Sequence, residues 1–293
     1  MIRNLKTNLL ELIRKTSTEL PDDVIKAVEG GMRREAEGSQ GLYAMEIIRK
    51  NIDLACDKSQ PLCQDTGAIL FYVEGPKGLD HAAFEKEARQ AVSLATRKGF
   101  LRQNSVDSIS GKNSGTNLGP GSPTLHFHQT PRKDLSVRLI LKGGGCENVG
   151  AQYSLPHTGL KADRDLEGVR KCILDAVLQA QGKGCGPGIL GVAIGGDRAT
   201  GYAHSKEQFL RPLGDVNRNP VLARLEKEVV EEANRLGIGP MGFGGRTTLL
   251  GCKMSTLNRL PASYFVSISY MCWAYRRQGF VLTPQGKIKK WLY

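Results

Sequence analysis

Apolar positions recur along this chain with two periods, and the switches between them mark its elements. Leu5, Leu9, Leu12 and Ile13 share one stripe at helical spacing and predict a first helix. Pro21-Asp22-Asp23 opens a second, carrying Val24, Ile25 and Val28, and Gly30-Gly31 should weaken or end it. A third helix is predicted over 42–56, with Ile47, Ile48 and Ile52 inward. A short polar loop, 59–67, leads into an apolar strand, 68–73. Residues 85–98 read as a helix, with Phe84, Ala88, Val92 and Ala95 on one face, and 111–122 as loop. Strands are predicted over 124–128 and 135–141, then a helix over 165–181 with Leu166, Val169, Ile173 and Val177 on its stripe. A buried strand at 189–194, a helix at 221–236 opened by Asn219-Pro220, and strands at 247–254 and 264–271 follow. A basic tail, 276–293, closes the chain. No linker, composition shift or repeat divides residues 1–293. The expected fold class is mixed α/β (α+β), a helix-rich single domain around a small mixed sheet of five strands.

Composition narrows the function classes. With 40% apolar and 24% charged residues in 293, the chain is that of a globular protein with a sizeable core. Disorder, a collagen repeat and a membrane span are excluded by the periodic apolar segments, the clustered glycines and the absence of any apolar run near ~20 residues. The opening segment has no signal-peptide core or cleavage site, so a cytoplasmic location and reduced thiols are expected. The net charge of +12 raises nucleic-acid binding as an alternative. Aromatics are only 6% and no basic stripe interleaves with them, so an acidic partner or a dianionic substrate is the better match to that charge.

The seven cysteines contain no CxxC, CxC or CxxH pair, which leaves a zinc finger unsupported. Cys56, Cys172 and Cys252 fall on apolar stripes or mid-strand and read as core. Cys63, Cys146, Cys185 and Cys272 instead end apolar elements inside glycine- or turn-rich loops; seven of the fifteen residues 182–196 are glycine. Glycine lets the backbone approach a bulky inorganic group and leaves N–H groups to bond it, so thiolate ligation of an iron–sulfur cluster is one reading. Ordinary packed cysteines in tight turns are the other.

Five motifs then appear in order: PLCQDTG (61–67), GGGCEN (143–148), GCGPGILGVAIGG (184–196), LGIGPMGFGG (236–245) and CWAYRR (272–277). Together they resemble the α subunit, or N-terminal domain, of class I iron–sulfur fumarate hydratases, and the L-tartrate dehydratase α subunit is similar. The resemblance runs from about Leu9 to the end. It implies a hydro-lyase with a [4Fe-4S] cluster held by Cys63, Cys185 and Cys272, whose open iron is a Lewis acid in the hydration of fumarate to L-malate. Cys146 is implied to be near the site without being a ligand. By the same resemblance Gln64 and Asp65 contact substrate, with Asp65 in proton transfer, Arg102 pairs with a substrate carboxylate, and Gly144 and Gly145 offer backbone contacts. It further implies a separate β subunit carrying the remaining residues, in an α2β2-type heteromer, with no nucleic acid and no membrane.

Two points stand apart from the resemblance. Many relatives have a histidine where this chain has Leu260, so that role cannot be carried over. None of the five histidines has a motif; His126 and His128 alternate on one predicted strand face, where a metal pair and a plain wet face are both open, the second favoured.

Overall fold

A computed structural model describes residues 2–293. The chain divides into two compact units, one made of the residues up to Asp22, Lys50–Gly144 and Ala274–Tyr293, the other of Asp23–Arg49 and Gly145–Trp273. The class is the expected mixed α/β one, but among the described residues nine strands form two sheets where one sheet of five was expected.

The first unit carries a five-stranded sheet. Its strands are β1 (Ala68–Pro76), β2 (Thr124–Thr130), β3 (Leu135–Lys142), β8 (Arg277–Leu282) and β9 (Ile288–Trp291), in the order β2-β1-β3-β8-β9. Only β1 and β2 run parallel. Helices α1 (Leu5–Thr18) and α4 (His81–Arg97) belong to this unit. The stripe Leu5, Leu9, Leu12 and Ile13 of α1 and the Phe84, Ala88, Val92 and Ala95 face of α4 pack with Phe71, Val73, Leu139 and Phe280 into one core. Asp80 caps α4 by accepting the Ala83 N–H.

In the second unit β4 (Ala151–Ser154), β5 (Gly188–Ile194), β6 (Leu249–Thr256) and β7 (Phe265–Met271) lie in the order β4-β7-β5-β6, with only β5 and β6 parallel. The helices α6 (Leu166–Ala180), α7 (Arg198–Glu207) and α8 (Pro220–Arg235) are capped by Asp165, Asp197 and Asn219. Val169, Ile173 and Val177 of α6 pack with Leu225 and Val229 of α8 and Leu190, Val192, Met254 and Ile268 of the sheet. The helix α2 (Asp22–Arg34) joins this unit, while α3 (Gln40–Lys58) contributes 40–49 to it and 50–58 to the first. A one-turn helix, α5 (Gly144–Asn148), follows β3.

Several expectations need correction. The helix α2 runs through Gly30-Gly31 to Arg34; a Cβ at Gly31 would lie 3.0 Å from Thr247 and 3.1 Å from Met45, so this glycine serves packing rather than termination. Ile47 is 50% exposed, because the buried stripe of α3 is Ala44, Met45, Ile48, Ile52 and Ala55. Cys56, one residue beyond that stripe, is exposed rather than core. Leu166 stands at the first position of α6 and is 40% exposed. The presumed basic tail forms β8 and β9. The helix α7 was invisible to periodicity because it packs small residues: a Cβ at Gly201 would meet the Ser267 hydroxyl at 2.7 Å.

Candidate functional site

In the first unit the loop before β1, the end of β3 and the loop after α4 meet at Asp65. Gly67 (φ +76°) lets that loop cross the end of β3, where a Cβ would come within 2.3 Å of the Lys142 carbonyl oxygen. The Asp65 carboxylate is held at both oxygens. Asn104 donates from its amide to Oδ1 at 2.9 Å, and the Gly144 N–H donates to Oδ2 at 2.6 Å. Asp65 therefore accepts the N–H of the first residue of α5.

Arg102 reaches the same corner through its main chain. Its carbonyl accepts from the buried Thr66 hydroxyl at 2.8 Å and from the Asn117 amide at 2.7 Å, leaving its side chain exposed. Asn117 also accepts the Asn104 N–H at 2.8 Å, so one buried side chain sets the positions of both Arg102 and Asn104. Gln64 is exposed beside Asp65, and Cys63 is half-buried.

The antiparallel pairing of β3 with β8 puts Arg276 next to this corner. Ile140 pairs with Arg277, and the Leu141 N–H donates to the Arg276 carbonyl at 3.0 Å. Arg276 is only 1% exposed, yet its Nε and Nη1 have no hydrogen-bond partner among the described residues. A Cβ at Gly143 would sit 3.1 Å from Asp65 Oδ2 and 3.8 Å from Arg276 Nη2, so glycine here lets the carboxylate and the guanidinium approach the end of β3 closely.

The second unit holds Gly145, Cys146, Cys185 and Cys272. Cys146 and Cys272 are buried, and Cys185 is exposed in the left-handed region, at φ +53°. Tyr270 is their common neighbour. Its hydroxyl is pushed far up, first by burial and then by the charge of Cys272, Cys146 and Cys185, so all three thiols lie within electrostatic reach of one phenol. Glycines of the GCGPG segment accommodate this ring: a Cβ at Gly184 would come within 2.5 Å of it and one at Gly188 within 2.3 Å. Cys172 and Cys252 are buried core thiols as expected, and burial pushes Cys172 up to about 11.

Of the predicted residues, Cys63, Gln64, Asp65, Arg102 and Gly144 belong to the first unit, and Gly145, Cys185 and Cys272 to the second. No three His, Cys, Asp or Glu side chains are gathered as for a single metal ion among the described residues. His126 stacks on Tyr72 with centroids 4.7 Å apart, and His128 is exposed. Leu260 is 73% exposed. Sequence reasoning missed Asn104, Asn117, Tyr270 and Arg276. Arg276 lay inside a quoted motif and Asn104 two residues from a predicted site residue, but only burial and hydrogen bonds distinguish them. No helix among the described residues is long and apolar enough to cross a membrane.

Residues 6–281 match the family described as fumarate hydratase (Fumerase), and the chain belongs to this family of hydro-lyases. It is 50% identical over 296 residues to a protein of Geobacillus stearothermophilus provisionally named fumarate hydratase class I, an alignment that covers 100% of this chain and 58% of that protein. It is 33% identical over 265 residues to the L(+)-tartrate dehydratase subunit alpha of Escherichia coli (strain K12), covering 89% of this chain and 85% of the relative. A Methanocaldococcus jannaschii protein, provisionally named for the same subunit, is 32% identical over 274 residues, covering 92% of this chain and 94% of its own. The chain thus spans little more than half of the Geobacillus relative and most of the two tartrate dehydratase subunits.

Proposed function

We propose that residues 1–293 act as one α-subunit-like module of an iron–sulfur hydro-lyase, interconverting fumarate and L-malate in the cytoplasm. As the resemblance implies, a [4Fe-4S] cluster would be held by Cys63, Cys185 and Cys272. The donor chemistry fits such a group, since thiolates are its usual ligands. Cys185 and Cys272 both lie within electrostatic reach of Tyr270, and none of the seven cysteines is in a disulfide. The lack of a single-ion ligand set is no obstacle, because the thiolates of a four-iron cube sit on different irons. When bound, the cluster would supply a Lewis-acid iron.

The chain's own residues supply binding and proton transfer. Arg102, anchored by its main chain with its side chain exposed, would pair with one substrate carboxylate through its planar fork. Gln64 would donate its amide to the substrate, and the Gly144 and Gly145 backbone would line it. In the dehydration direction Asp65 would deliver a proton to the departing hydroxyl oxygen, releasing water as the C–O bond breaks. In hydration the same carboxylate would accept that proton from the incoming water. Its fixing by Asn104 and Gly144 makes it oriented before substrate arrives, and this is the observation that carries the reading. The base that takes the carbon-bound proton would come from a β subunit in an α2β2-type assembly. The net charge of +12 suits a dianionic substrate and a more acidic partner.

The second reading is dehydration of L-tartrate or another 2-hydroxy dicarboxylate, favoured by the long alignments with the two tartrate dehydratase subunits. The test is anaerobic reconstitution of the chain with iron and sulfide, followed by a panel of fumarate, L-malate and L-tartrate, with and without a candidate β subunit. Fumarate–malate turnover that needs the second subunit supports the first reading, and preference for tartrate moves the assignment to the second. Full activity of this chain alone removes the split site. The absence of turnover on every substrate in the presence of the second subunit refutes both.

A further inference from the structure

The glycine-rich segment around Cys185 is gripped from two sides within the second unit. On one side stands Tyr270, which is 3% exposed. The antiparallel register of β5 and β7 pairs Leu190 with Tyr270 and Ile189 with Met271. From that position the ring crosses diagonally over Gly188, and it fills the space that Cβ atoms at Gly184 and Gly188 would need. Its hydroxyl extends to Gly186, where a Cβ would lie 3.4 Å from it. Cys272 comes two positions after Tyr270, directly beyond the end of β7. One ring therefore packs on the segment of one predicted cluster thiolate and sits on the strand that leads to the other. Both thiols are within electrostatic reach of its hydroxyl. On the other side lies the loop 239–245 of the LGIGPMGFGG motif. The Met241 N–H donates to the Gly186 carbonyl at 3.0 Å, and a Cβ at Gly182 would meet the Met241 carbonyl oxygen at 2.6 Å and the Gly242 α-carbon at 2.9 Å. Between these two holds Cys185 keeps φ +53°, a left-handed backbone that its side chain makes costly. Such a conformation persists only where the surroundings over-determine it.

We infer that Tyr270 is a positioning residue for the cluster thiolates: its ring is the spacer that sets Cys185 against Cys272. The inference rests on the iron–sulfur reading of those two cysteines and deepens it. A core ring with no such role would be replaceable at a cost in stability alone. A spacer between two ligand segments also governs how firmly the thiolates keep their group, because ligands must be held within ~0.5 Å of their productive geometry. The ring and not the hydroxyl makes the contacts with Gly184 and most of those with Gly188, so phenylalanine should serve in its place and leucine should not.

The test reads the cluster directly and needs no turnover. The full chain is reconstituted anaerobically with iron and sulfide as wild type, Tyr270→Phe, Tyr270→Leu and the double variant Gly188→Ala/Tyr270→Leu, in which a methyl group takes part of the room the ring leaves. Iron and sulfide per chain, the visible absorbance and the rate at which an iron chelator bleaches it are measured, with the urea midpoint of each chain alongside. Replacing a residue that orients metal ligands typically weakens metal retention ten- to a hundredfold, so Tyr270→Leu should bleach roughly ten- to a hundredfold faster than wild type. Tyr270→Phe should bleach at the wild-type rate. The double variant should be no less stable than Tyr270→Leu yet bleach as fast, which separates spacing from stability. A leucine or double variant that bleaches at the wild-type rate overturns the inference, and so does a Tyr270→Phe chain as labile as Tyr270→Leu. If Tyr270→Leu fails to fold, the double variant decides alone. A wild type that takes up no iron and sulfide refutes the iron–sulfur reading itself, whereas uptake that is indifferent to the ring refutes only the role of Tyr270.

Discussion

Asn117 holds the loop that presents Arg102 and Asn104, and cutting it back tests how that loop is built. The side chain is 2% exposed and makes three hydrogen bonds: it accepts from the Asn104 N–H and donates to the Thr96 hydroxyl and the Arg102 carbonyl. At a net ~1 kcal/mol each, with partners left buried, their loss costs about 2–4 kcal/mol. The backbone adds a second, separable contribution, since Asn117 sits at φ +60°. Asparagine tolerates that conformation and alanine pays about 1–2 kcal/mol for it, whereas glycine does not. Asn117→Gly should therefore lose only the hydrogen bonds, and Asn117→Ala should lose about 1 kcal/mol more. Urea unfolding of the full chain at constant m separates the two. Both variants should also raise KM for the diacid substrate, because Arg102 and the Asn104 bond to Asp65 lose their support. Equal stability of the two variants, or a loss below ~0.5 kcal/mol in both, would refute the reasoning.

Four further outcomes are expected. Asp65→Asn keeps the Gly144 contact and the fold, and should lower kcat by a factor on the order of 10²–10⁴ with little change in the unfolding midpoint. Serine at Cys63, Cys185 or Cys272 should abolish the visible absorbance of the reconstituted cluster, and serine at Cys146 should preserve it; retention in any of the first three removes that residue from the ligand set. Gly188→Ala should destabilise by about 1–3 kcal/mol through its clash with Tyr270, and a double variant with Tyr270→Leu should be less destabilised than the sum of the single changes. Asp215 sits against Arg211 and the buried Lys253; desolvation raises its pKa, but the hydrogen bonds and charges of both partners outweigh it and hold the carboxyl below its ordinary value. Its stabilisation is thus present above about pH 4 and lost as the pH falls through the lowered value. Asp215→Asn should be less stable than wild type at neutral pH, and the gap should close in acid; a gap constant from pH 7 to 2 counts against this account.

What could be read from the sequence divides along physical lines. Long apolar stripes such as Leu5–Leu9–Leu12 were legible because burial imposes their period. The helix α7 was not, since its packing face is built from Gly201 and Ser205, which carry no hydrophobic signal. The strands β8 and β9 were hidden by lysines and arginines: Arg277 is fully buried but lies over the rings of Tyr275 and Tyr293, so a charged letter there stands for a core position. Ile47 and Cys56 failed for the opposite reason, each lying one residue off the true stripe.

The glycines show what motif reading alone does not resolve. Around Cys185, where an iron–sulfur site and tight turns were both open readings, Gly184 and Gly188 make room for the ring of Tyr270, a residue no motif singled out. By contrast, Gly67 and Gly143 clear the close crossing of the loop before β1 with the end of β3. That crossing is what brings the Gly144 N–H onto Asp65. CQDTG and GGG are thus two halves of one local contact, far apart in the chain, and the placement of the Asp65 carboxylate depends on the second motif as much as on the first. Gly67→Ala should accordingly act at a distance, lowering kcat through the displaced Gly144 N–H while every predicted site residue remains in place. An activity equal to wild type in a folded Gly67→Ala variant would show that the two halves are independent.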